Sequence, residues 1–465
     1  MLSSCVPRPS WFTRNRTKMP VKQKRYELRF KKMMIRSAVF LTVAATLVLF
    51  ASRSQHYANR GIINTTFRIC ADLNQLSRRG TEVSSFDYMS GLKDMHGNYG
   101  YDYDVVFLIS QKILDQLTGL ADRENLSSSE PEVKIVFEKE FGNLIGYDDF
   151  SARAREVGCH MIYAQISGEL ASSGRYYGDP SRPLRIPVAV HAVFQTNEPH
   201  GTIFASISRQ LSLETGQLAR CKGNEDIYVD LIVDYKFDEL VMNVEHMRIS
   251  KRDELGIASD CLVLCRHGGY ETFNIPFVRD NLVTIIDMLE NVEVILMNTH
   301  PLEKGHSRIH EVQGDSSIEG KALYFAACDA MLHARMDGET FGLAVAEFSL
   351  RNKPVLTYDG ILPGYARAHL GILQDRGLYY KDLSTLQALI SSLVKNGIPT
   401  RDFNAYANYS RANILPKFER VFIKPSILWW HAARLKGIHD VWEGKYEDLP
   451  PLNKACDCCR NGKLS

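Results

Sequence analysis

Two carboxylates flank a run of small and apolar residues in GETFGLAVAEFS, residues 338–349. An ionised Glu is costly to bury unless something compensates its charge, so Glu339 and Glu347 each require a partner in the fold or a bound ligand. The two acids are eight positions apart (347 − 339). At about 100° per residue they would lie within roughly 80° of one face of a helix. Both could therefore address one ligand, and their oxygens would accept hydrogen bonds from sugar or ribose hydroxyls.

The residues after Glu339 predict the beginning of a helix. We expect Thr340 to be the N-cap, with the N–H groups of Phe341, Gly342 and Leu343 directed into a cleft. A helix N-terminus carries partial positive charge and unpaired donors, which suits a phosphate or a diphosphate. Gly342 would let the ligand approach the backbone closely.

A purely structural interpretation of the two acids stays open. Glu347 and Arg351 are four positions apart in the favourable order for a helical ion pair, and Glu339 would then be a solvated loop residue.

From about residue 246 onwards, strand and helix patterns alternate. The predicted strands are 261–266, 292–298, 308–312, 330–335 and 354–359, and the predicted helices are 275–291, 320–328, 341–352 and 383–397. This alternation is typical of a parallel, doubly wound sheet, which binds ligands beyond the carboxyl ends of its strands. We therefore expect the ligand at the loops 267–274, 299–307 and 336–340.

The preceding region predicts a second α/β domain over residues 99–245. Its predicted strands are 104–110, 133–140, 160–167, 185–195 and 202–208, with helices at 111–120 and 150–157. Residues 53–98 are mixed and polar and are interpreted as a stem. The better defined domain spans 246–415.

The N-terminal segment is strongly basic. Residues 1–36 hold eleven Lys and Arg against one acid, a charge of +10, so the rest of the chain carries −8 of the total of +2. That balance does not indicate a nucleic-acid partner. Residues 38–51 are uncharged, and we interpret 37–52 as a signal-anchor transmembrane helix with 1–36 as a cytoplasmic head. This predicts a single-pass type II protein of the Golgi or ER membrane; a cleaved signal peptide and a mitochondrial or plastid presequence are the alternatives.

Cysteines and acids elsewhere do not predict a metal site. The ten cysteines are too sparse to indicate a disulfide framework, and Cys261 and Cys265 lie in an apolar run typical of a buried strand. The tail sequence CDCC, residues 456–459, lacks a second ligand cluster at zinc spacing, so its cysteines either pair or have no role. Asp102 and Asp104 form a D-x-D pattern that strand-end packing explains better than a metal.

The E-x7-E pattern of Glu339 and Glu347, followed by Pro354-Val355, resembles the signature of family-4 glycosyltransferases. That family has the GT-B fold, two Rossmann-like domains facing a cleft. The segment Arg266-His267-Gly268-Gly269 is similar to its glycine-rich loop with a phosphate-binding Arg. The resemblance covers about residues 185–395 and is strongest over 259–360. It implies an acceptor domain (99–245), a donor domain (246–415), a helix crossing back over 416–450, and a tail at 451–465.

The resemblance also implies residue roles. Glu339 would meet the donor sugar, and His191 would reach it from the first domain, although a satisfied core histidine is the alternative for His191. Glu347 would hold the ribose. The diphosphate would be balanced by Arg266 and by the amides of 341–343.

The chain departs from the family pattern in two places. The family usually has a Lys a few residues after the Arg, but residues 270–274 contain no cation, and Arg335 is the expected replacement. His333 and Ala334 stand where Pro or Ser is common. The resemblance is therefore to a divergent microbial branch of the family.

Together these features predict a membrane-anchored hexosyltransferase. It would transfer a sugar, with retention of configuration, from a nucleotide-sugar co-substrate to a glycan, glycoprotein or lipid acceptor, and it would require no cofactor. A non-catalytic, membrane-tethered protein that binds glycans or nucleotides is the alternative, and a nucleotide-sugar epimerase is a third possibility.

Overall fold

The computed structural model describes residues 66–77, 80–95, 97–118, 130–177, 185–195, 198–233, 243–314 and 318–441. The chain divides into two compact units, residues 1–65 and 66–465, and every described residue belongs to the second. The segments that were predicted as a cytoplasmic head (1–36), a membrane anchor (37–52) and a tail (451–465) lie outside the described residues.

The prediction of a single-pass membrane protein is corrected by the structure. Within residues 66–441, as far as they are described, no helix is long and apolar enough to cross a bilayer.

Six parallel strands form the first sheet, in the order β3-β2-β1-β4-β5-β6. Every residue of β4 and β5 is buried, as in parallel sheets covered on both faces. The strands are β1 (Thr66–Leu73), β2 (Asp102–Ser110), β3 (Ile145–Tyr147), β4 (Met161–Ile166), β5 (Val188–Ala192) and β6 (Ile203–Ser206). The helices are α1 (Gly80–Lys93), α2 (Gln111–Thr118), α3 (Glu130–Phe141), α4 (Phe150–Val157), α5 (Gly174–Tyr177), α6 (Arg209–Glu214) and α7 (Gln217–Arg220).

The predicted stem over 53–98 is wrong for its described part, because β1 and α1 belong to the first domain. Arg68 and Asp72 interrupt the apolar pattern of β1, which disguises it as a polar linker. In the fold, Arg68 Nε donates to Asp104 Oδ2 on β2 at 2.6 Å, and Asp72 accepts hydrogen bonds from tyrosine hydroxyls. Both polar side chains are therefore satisfied within the sheet layer.

The predicted strand at 133–140 is also wrong, because this segment lies within helix α3. Val133 and Phe137, four positions apart, form its buried face, whereas Ile135 and Val136 are 64% and 50% exposed. The spacing of the buried residues is helical.

The second sheet also has six parallel strands, in the order β14-β12-β10-β7-β8-β9, and confirms the predicted doubly wound α/β class. Its strands are β7 (Leu262–Arg266), β8 (Val292–Met297), β9 (Ile309–Val312), β10 (Ala330–His333), β12 (Val355–Tyr358) and β14 (Leu378–Tyr380). A small two-stranded sheet pairs β11 (Gly338–Glu339) with β13 (Ala366–Arg367). The helices are α8 (Val244–Leu255), α9 (Pro276–Arg279), α10 (Leu282–Met288), α11 (Ile318–Ala327), α12 (Leu343–Leu350), α13 (Ala368–Leu373) and α14 (Leu383–Asn396).

The C-terminal segment packs on the first domain. It consists of α15 (Arg411–Phe418), a π-helical turn (Glu419–Ile423) and α16 (Lys424–Leu435). Trp430 Nε1 donates to the His160 carbonyl at 2.6 Å, and the Tyr103 hydroxyl donates to the Glu419 carboxylate. Within the D-x-D pattern, Tyr103 thus bonds to this segment while Asp104 pairs with Arg68.

Two disulfides between described residues tie the sheets to neighbouring loops. Cys70 of β1 bonds to Cys159, and Cys265 of β7 bonds to Cys328. The interpretation of Cys265 as a simple apolar residue is therefore wrong, whereas Cys261 is a buried free thiol.

Candidate active site

The small sheet of β11 and β13 sets the position of Glu339. Glu339 is in register with Arg367, and Gly338 with Ala366. A Cβ at Gly338 would lie 1.8 Å from the Ala366 carbonyl oxygen, and its φ is +64°, so only glycine fits. Glu339 thus follows a residue fixed by close backbone contact.

An arginine and a histidine hold the Glu339 carboxylate. Arg335 Nη1 lies 2.8 Å from Oε2, and His333 Nε2 lies 3.5 Å from Oε1. Burial raises the pKa of Glu339, but Arg335 and His333 lower it further, to about 2. The side chain remains 19% exposed, so an ionised acceptor faces solvent at this edge.

A chain of hydrogen bonds supports His333 from behind. His333 Nδ1 lies 2.8 Å from the Thr357 hydroxyl, which lies 3.2 Å from His369 Nε2. Because His333 Nε2 faces a carboxylate, its Nδ1 accepts from Thr357, and His369 donates to Thr357 in turn. Burial, and next the neighbouring His333, lowers the pKa of His369 to about 3, so His369 is a neutral donor.

Helix α12 begins later than predicted. Its N-cap is Gly342, at φ +85°, and not Thr340. A left-handed N-cap favours glycine, and a Cβ at Gly342 would lie 3.2 Å from Cβ of His369. The Thr340 carbonyl accepts instead from Ser208 Oγ of the first domain at 2.9 Å, and the buried Phe341 is held through its carbonyl by the Tyr406 hydroxyl at 2.8 Å.

Glu347 has different partners from the one expected. Its carboxylate lies 3.1 Å from Lys321 Nζ and 3.0 Å from His267 Nε2. Arg351 Nη1 donates to the Glu347 backbone carbonyl at 2.6 Å, with its guanidinium 4.2 Å from the Phe325 ring centre. Burial raises the pKa of Glu347, but Lys321 and His267 hold it well below the usual range. Glu347 is 2% exposed, and each of its carboxylate oxygens has a protein partner, so it is a buried, paired anion.

Arg266 is committed to protein acceptors. Its side chain is buried at the end of β7, and burial lowers its pKa to about 10. It donates to three carbonyls and two hydroxyls at 2.5–3.1 Å: Met297 O, Asn298 O, Thr299 Oγ1, Gly269 O and Thr272 Oγ1. Arg266 therefore ties the loop after β7 to the loop after β8. Gly268, at φ +153°, and Gly269 form the turn that closes around its guanidinium.

His191 does not reach the second domain. It lies inside β5 with no exposed surface, accepts from the Tyr163 hydroxyl at Nδ1 (2.7 Å) and donates from Nε2 to the Val229 carbonyl (2.8 Å). Burial lowers its pKa to about 4. The catalytic prediction for His191 is corrected by this geometry, which is that of a satisfied core histidine.

The structure thus brings Glu339, Arg335 and the start of α12 together at the carboxyl edge of the second sheet. The first domain reaches the same place, because a Cβ at Gly80, the first residue of α1, would lie 3.3 Å from Cδ1 of Leu343. The N-termini of α1 and α12 therefore meet, and both carry partial positive charge. Such an arrangement suits an anionic ligand.

Four residues around the two acids could not be assigned from the sequence. Lys321, His267 and His333 contact the carboxylates, and His369 supports His333 through Thr357. Lys321 is 26 positions from Glu347 and on another helix, so no local spacing connects them. His267 follows one predicted strand and His333 lies near the end of another, and that position was the one available signal.

No protein-family model and no curated protein matches the chain. Solved structures do resemble it. HepE (Alr3699) of Anabaena in complex with UDP-glucose has a TM-score of 0.54 at 14% identity, over 77% of this chain and 99% of that one. A glycosyltransferase from Rickettsia africae has a TM-score of 0.50 at 12% identity, over 77% of this chain and 98% of that one. The likeness shows the fold, two Rossmann-like α/β domains of the GT-B kind.

Proposed function

We propose that the chain is a GT-B glycosyltransferase that transfers a hexosyl group from a nucleotide-sugar donor to an acceptor hydroxyl. The observation that carries the proposal is the ionised, partly exposed Glu339 beside the N-terminus of α12, at the carboxyl edge of the second sheet. The similar fold of HepE, a protein solved with UDP-glucose, supports a UDP-sugar as the first donor to test.

In this proposal the donor diphosphate lies against the first turn of α12. The backbone amides at 342–344 and the Arg335 guanidinium balance the charge that develops on the leaving diphosphate. Arg266 acts indirectly, because its guanidinium already holds two loops in place. Glu339 accepts hydrogen bonds from hydroxyls of the donor sugar, as its low pKa allows.

Glu347 is assigned to the donor ribose. Its two carboxylate oxygens are held by Lys321 and His267, which fix their direction and leave lone pairs for a ribose hydroxyl. Lys321 also places a cation near the donor, in a chain whose loop 267–274 contains no Lys or Arg.

The proposed reaction retains the anomeric configuration, as the E-x7-E resemblance implies. The bond between the anomeric carbon and the diphosphate oxygen breaks, and the acceptor oxygen bonds to that carbon on the same face. The acceptor proton passes to the departing diphosphate, so no separate base is needed. The acceptor is a hydroxyl of a glycan, glycoprotein or lipid.

A donor-hydrolysis panel tests the function. The full-length protein is incubated with UDP-, GDP- and ADP-sugars, and the released nucleoside diphosphate is measured. We expect turnover with one class of donor and its loss in Glu339→Ala. Turnover that is unchanged in Glu339→Ala would refute the assigned site.

A second candidate is a nucleotide-binding protein without turnover. The commitment of Arg266 to protein acceptors and the burial of Glu347 against Lys321 and His267 favour it, since both reduce the groups available to a transition state. Calorimetry with UDP distinguishes the two: tight binding with no turnover on any donor supports the second candidate.

A further inference from the structure

The first domain contacts the region of the strand pair that carries Glu339 through Gln195, Ser208 and helix α6. Ser208 Oγ donates to the Thr340 carbonyl at 2.9 Å, and Gln195 Nε2 donates to the Tyr365 carbonyl at 2.9 Å. Helix α6, which follows Ser208, lies against β13 and α13. We call the contacts of Gln195, Ser208 and α6 with the second domain the seam.

Glu214, the last residue of α6, contributes a carboxylate to the seam. Its Oε2 accepts from the Arg367 backbone N–H at 3.1 Å and from Gln195 Nε2 at 3.3 Å. Its Oε1 is buried and has no hydrogen-bond partner among the described residues. Burial raises its pKa, with the hydrogen bonds from Arg367 and Gln195 opposing that change. A carboxylate is costly to keep here, so its contact with β13 needs an explanation.

The register of β13 connects Glu214 to the site. Arg367 pairs with Glu339 across the small sheet, and its N–H is directed to Glu214. Strand β13 therefore lies between β11 on one side and the Glu214 carboxylate on the other. His369, two residues further, packs against Gly342 and supports His333 through Thr357.

We propose that Glu214 is a positioning residue that couples the first domain to the Glu339 carboxylate. It supplies the acceptor that a third strand would supply, so the small sheet is fully bonded only when the two domains are together. This proposal rests on the proposed function, because its catalytic consequence requires Glu339 to act on a donor. The nucleotide itself is held by the second domain and does not depend on Glu214.

Variants of Glu214 separate this role from a general loss of folding. Glu214→Gln keeps one side-chain oxygen for the Arg367 N–H, whereas Glu214→Ala removes it. We expect Glu214→Ala to lower kcat by about tenfold or more, because a small misplacement of a reacting group has large kinetic effects. KM for the donor should change less than twofold, and Glu214→Gln should recover most of kcat. Glu156→Ala, at an exposed ion pair with Arg153, is the matched control.

Amide hydrogen exchange gives a readout that does not require activity. The Arg367 amide should exchange at least tenfold faster in Glu214→Ala, and near the wild-type rate in Glu214→Gln and Glu156→Ala. Unchanged exchange in Glu214→Ala, or an equal loss of kcat in the Gln and Ala variants, would overturn the proposal. Wild-type protein that turns over no donor would count against the proposed function alone, since the exchange at Arg367 still decides the role of Glu214.

Discussion

An acid lies near the carboxyl end of a strand in each domain, Asp72 on β1 and Glu339 on β11, and each has an arginine partner. Arg175 Nε is 2.9 Å from Asp72, and Arg335 Nη1 is 2.8 Å from Glu339. The Asp72 side chain has no exposed surface and also accepts from the hydroxyls of Tyr147 and Tyr176.

The two acids differ in the direction of their pKa. Burial raises the pKa of Asp72 more than Arg175 and the tyrosines lower it, whereas Arg335 and His333 outweigh burial at Glu339. Asp72 is thus enclosed by groups that satisfy it, and Glu339 is held as an anion that still faces solvent. An acid–arginine pair at a strand end is therefore not by itself evidence of a ligand site. The difference between the two pairs is whether the carboxylate is exposed to solvent and can contact a ligand.

The largest expected effect is on turnover. Glu339→Gln should lower kcat by about 10²–10³-fold, because it removes the charge that meets the donor sugar. Asp72→Asn should change kcat less than about threefold, as Asp72 has no exposed surface. Steady-state kinetics with the best donor measures both, and similar losses in the two variants would abolish the distinction between the acids.

The next effect is on stability and has the opposite pattern. Asp72→Ala removes the partner of Arg175 and two tyrosine hydrogen bonds, so it should lower the free energy of unfolding by about 3 kcal/mol. Tyr147→Phe, which removes one of those hydrogen bonds, should cost about 1 kcal/mol. Urea denaturation measures both. A smaller loss for Asp72→Ala than for Glu339→Gln would contradict the structural role of Asp72.

The two arginines at the second sheet should also separate. Arg335→Lys keeps the charge but should raise KM for the donor roughly tenfold, because a point charge cannot hold Glu339 and the diphosphate in one geometry. Arg266→Lys should instead lower the melting temperature, since a lysine cannot replace its five hydrogen bonds. Steady-state kinetics measures KM and thermal melts measure the loss of stability; a higher KM in Arg266→Lys with no change in melting would assign the phosphate contact to Arg266.

The smallest effect is on the acid dependence of stability. The pKa of Glu339 in the folded protein is lower than its value of 4.5 in the unfolded chain. Its contribution to the free energy of unfolding is therefore present above pH 4.5 and is lost as pH falls towards about 2. The pKa of Asp72 in the folded protein is higher than its value of 3.8 in the unfolded chain. Its contribution to the free energy of unfolding is therefore present at low pH and is lost as pH rises through the folded pKa. Each gives at most about 1.4 kcal/mol per pH unit. As the pH is lowered from 5 to 3, the free energy of unfolding should fall less steeply in Glu339→Gln than in the wild type. In Asp72→Asn it should fall more steeply. The same change in both variants would contradict the opposite pKa shifts of the two acids.

Much of the second domain could be predicted from the sequence, because its strands are uninterrupted apolar runs bounded by loops. The predicted strand at 292–298 is observed as Val292–Met297. Strand β1 could not be recognised, since the partners that satisfy Arg68 and Asp72 are brought to it by the fold. The segment 133–140 was predicted as a strand because its apolar residues cluster, but it lies in the helix Glu130–Phe141. The four-residue spacing of Val133 and Phe137 is the signal that favours a helix.

The candidate site was predictable at its acids and not at their partners. The positions of Glu339 and Glu347 followed from spacing and from the resemblance. The saturation of Arg266 by carbonyls of two loops depends on the order of β7 and β8 in the sheet, which sequence does not state. The cap at Gly342 was missed because Thr340 is the better side-chain cap, and its carbonyl is used by Ser208 of the other domain.

The return of the C-terminal helices to the first domain means that the chain passes between the domains twice. The end of the described first domain contacts the second passage, because the Val233 N–H donates to the Tyr409 carbonyl at 2.7 Å. A hinge that closes a cleft between two domains consists of a few loop residues or residues at the ends of elements. Any opening of the cleft would therefore pivot close to the bonded pair Val233 and Tyr409, and the seam at Glu214 would part as the domains separate.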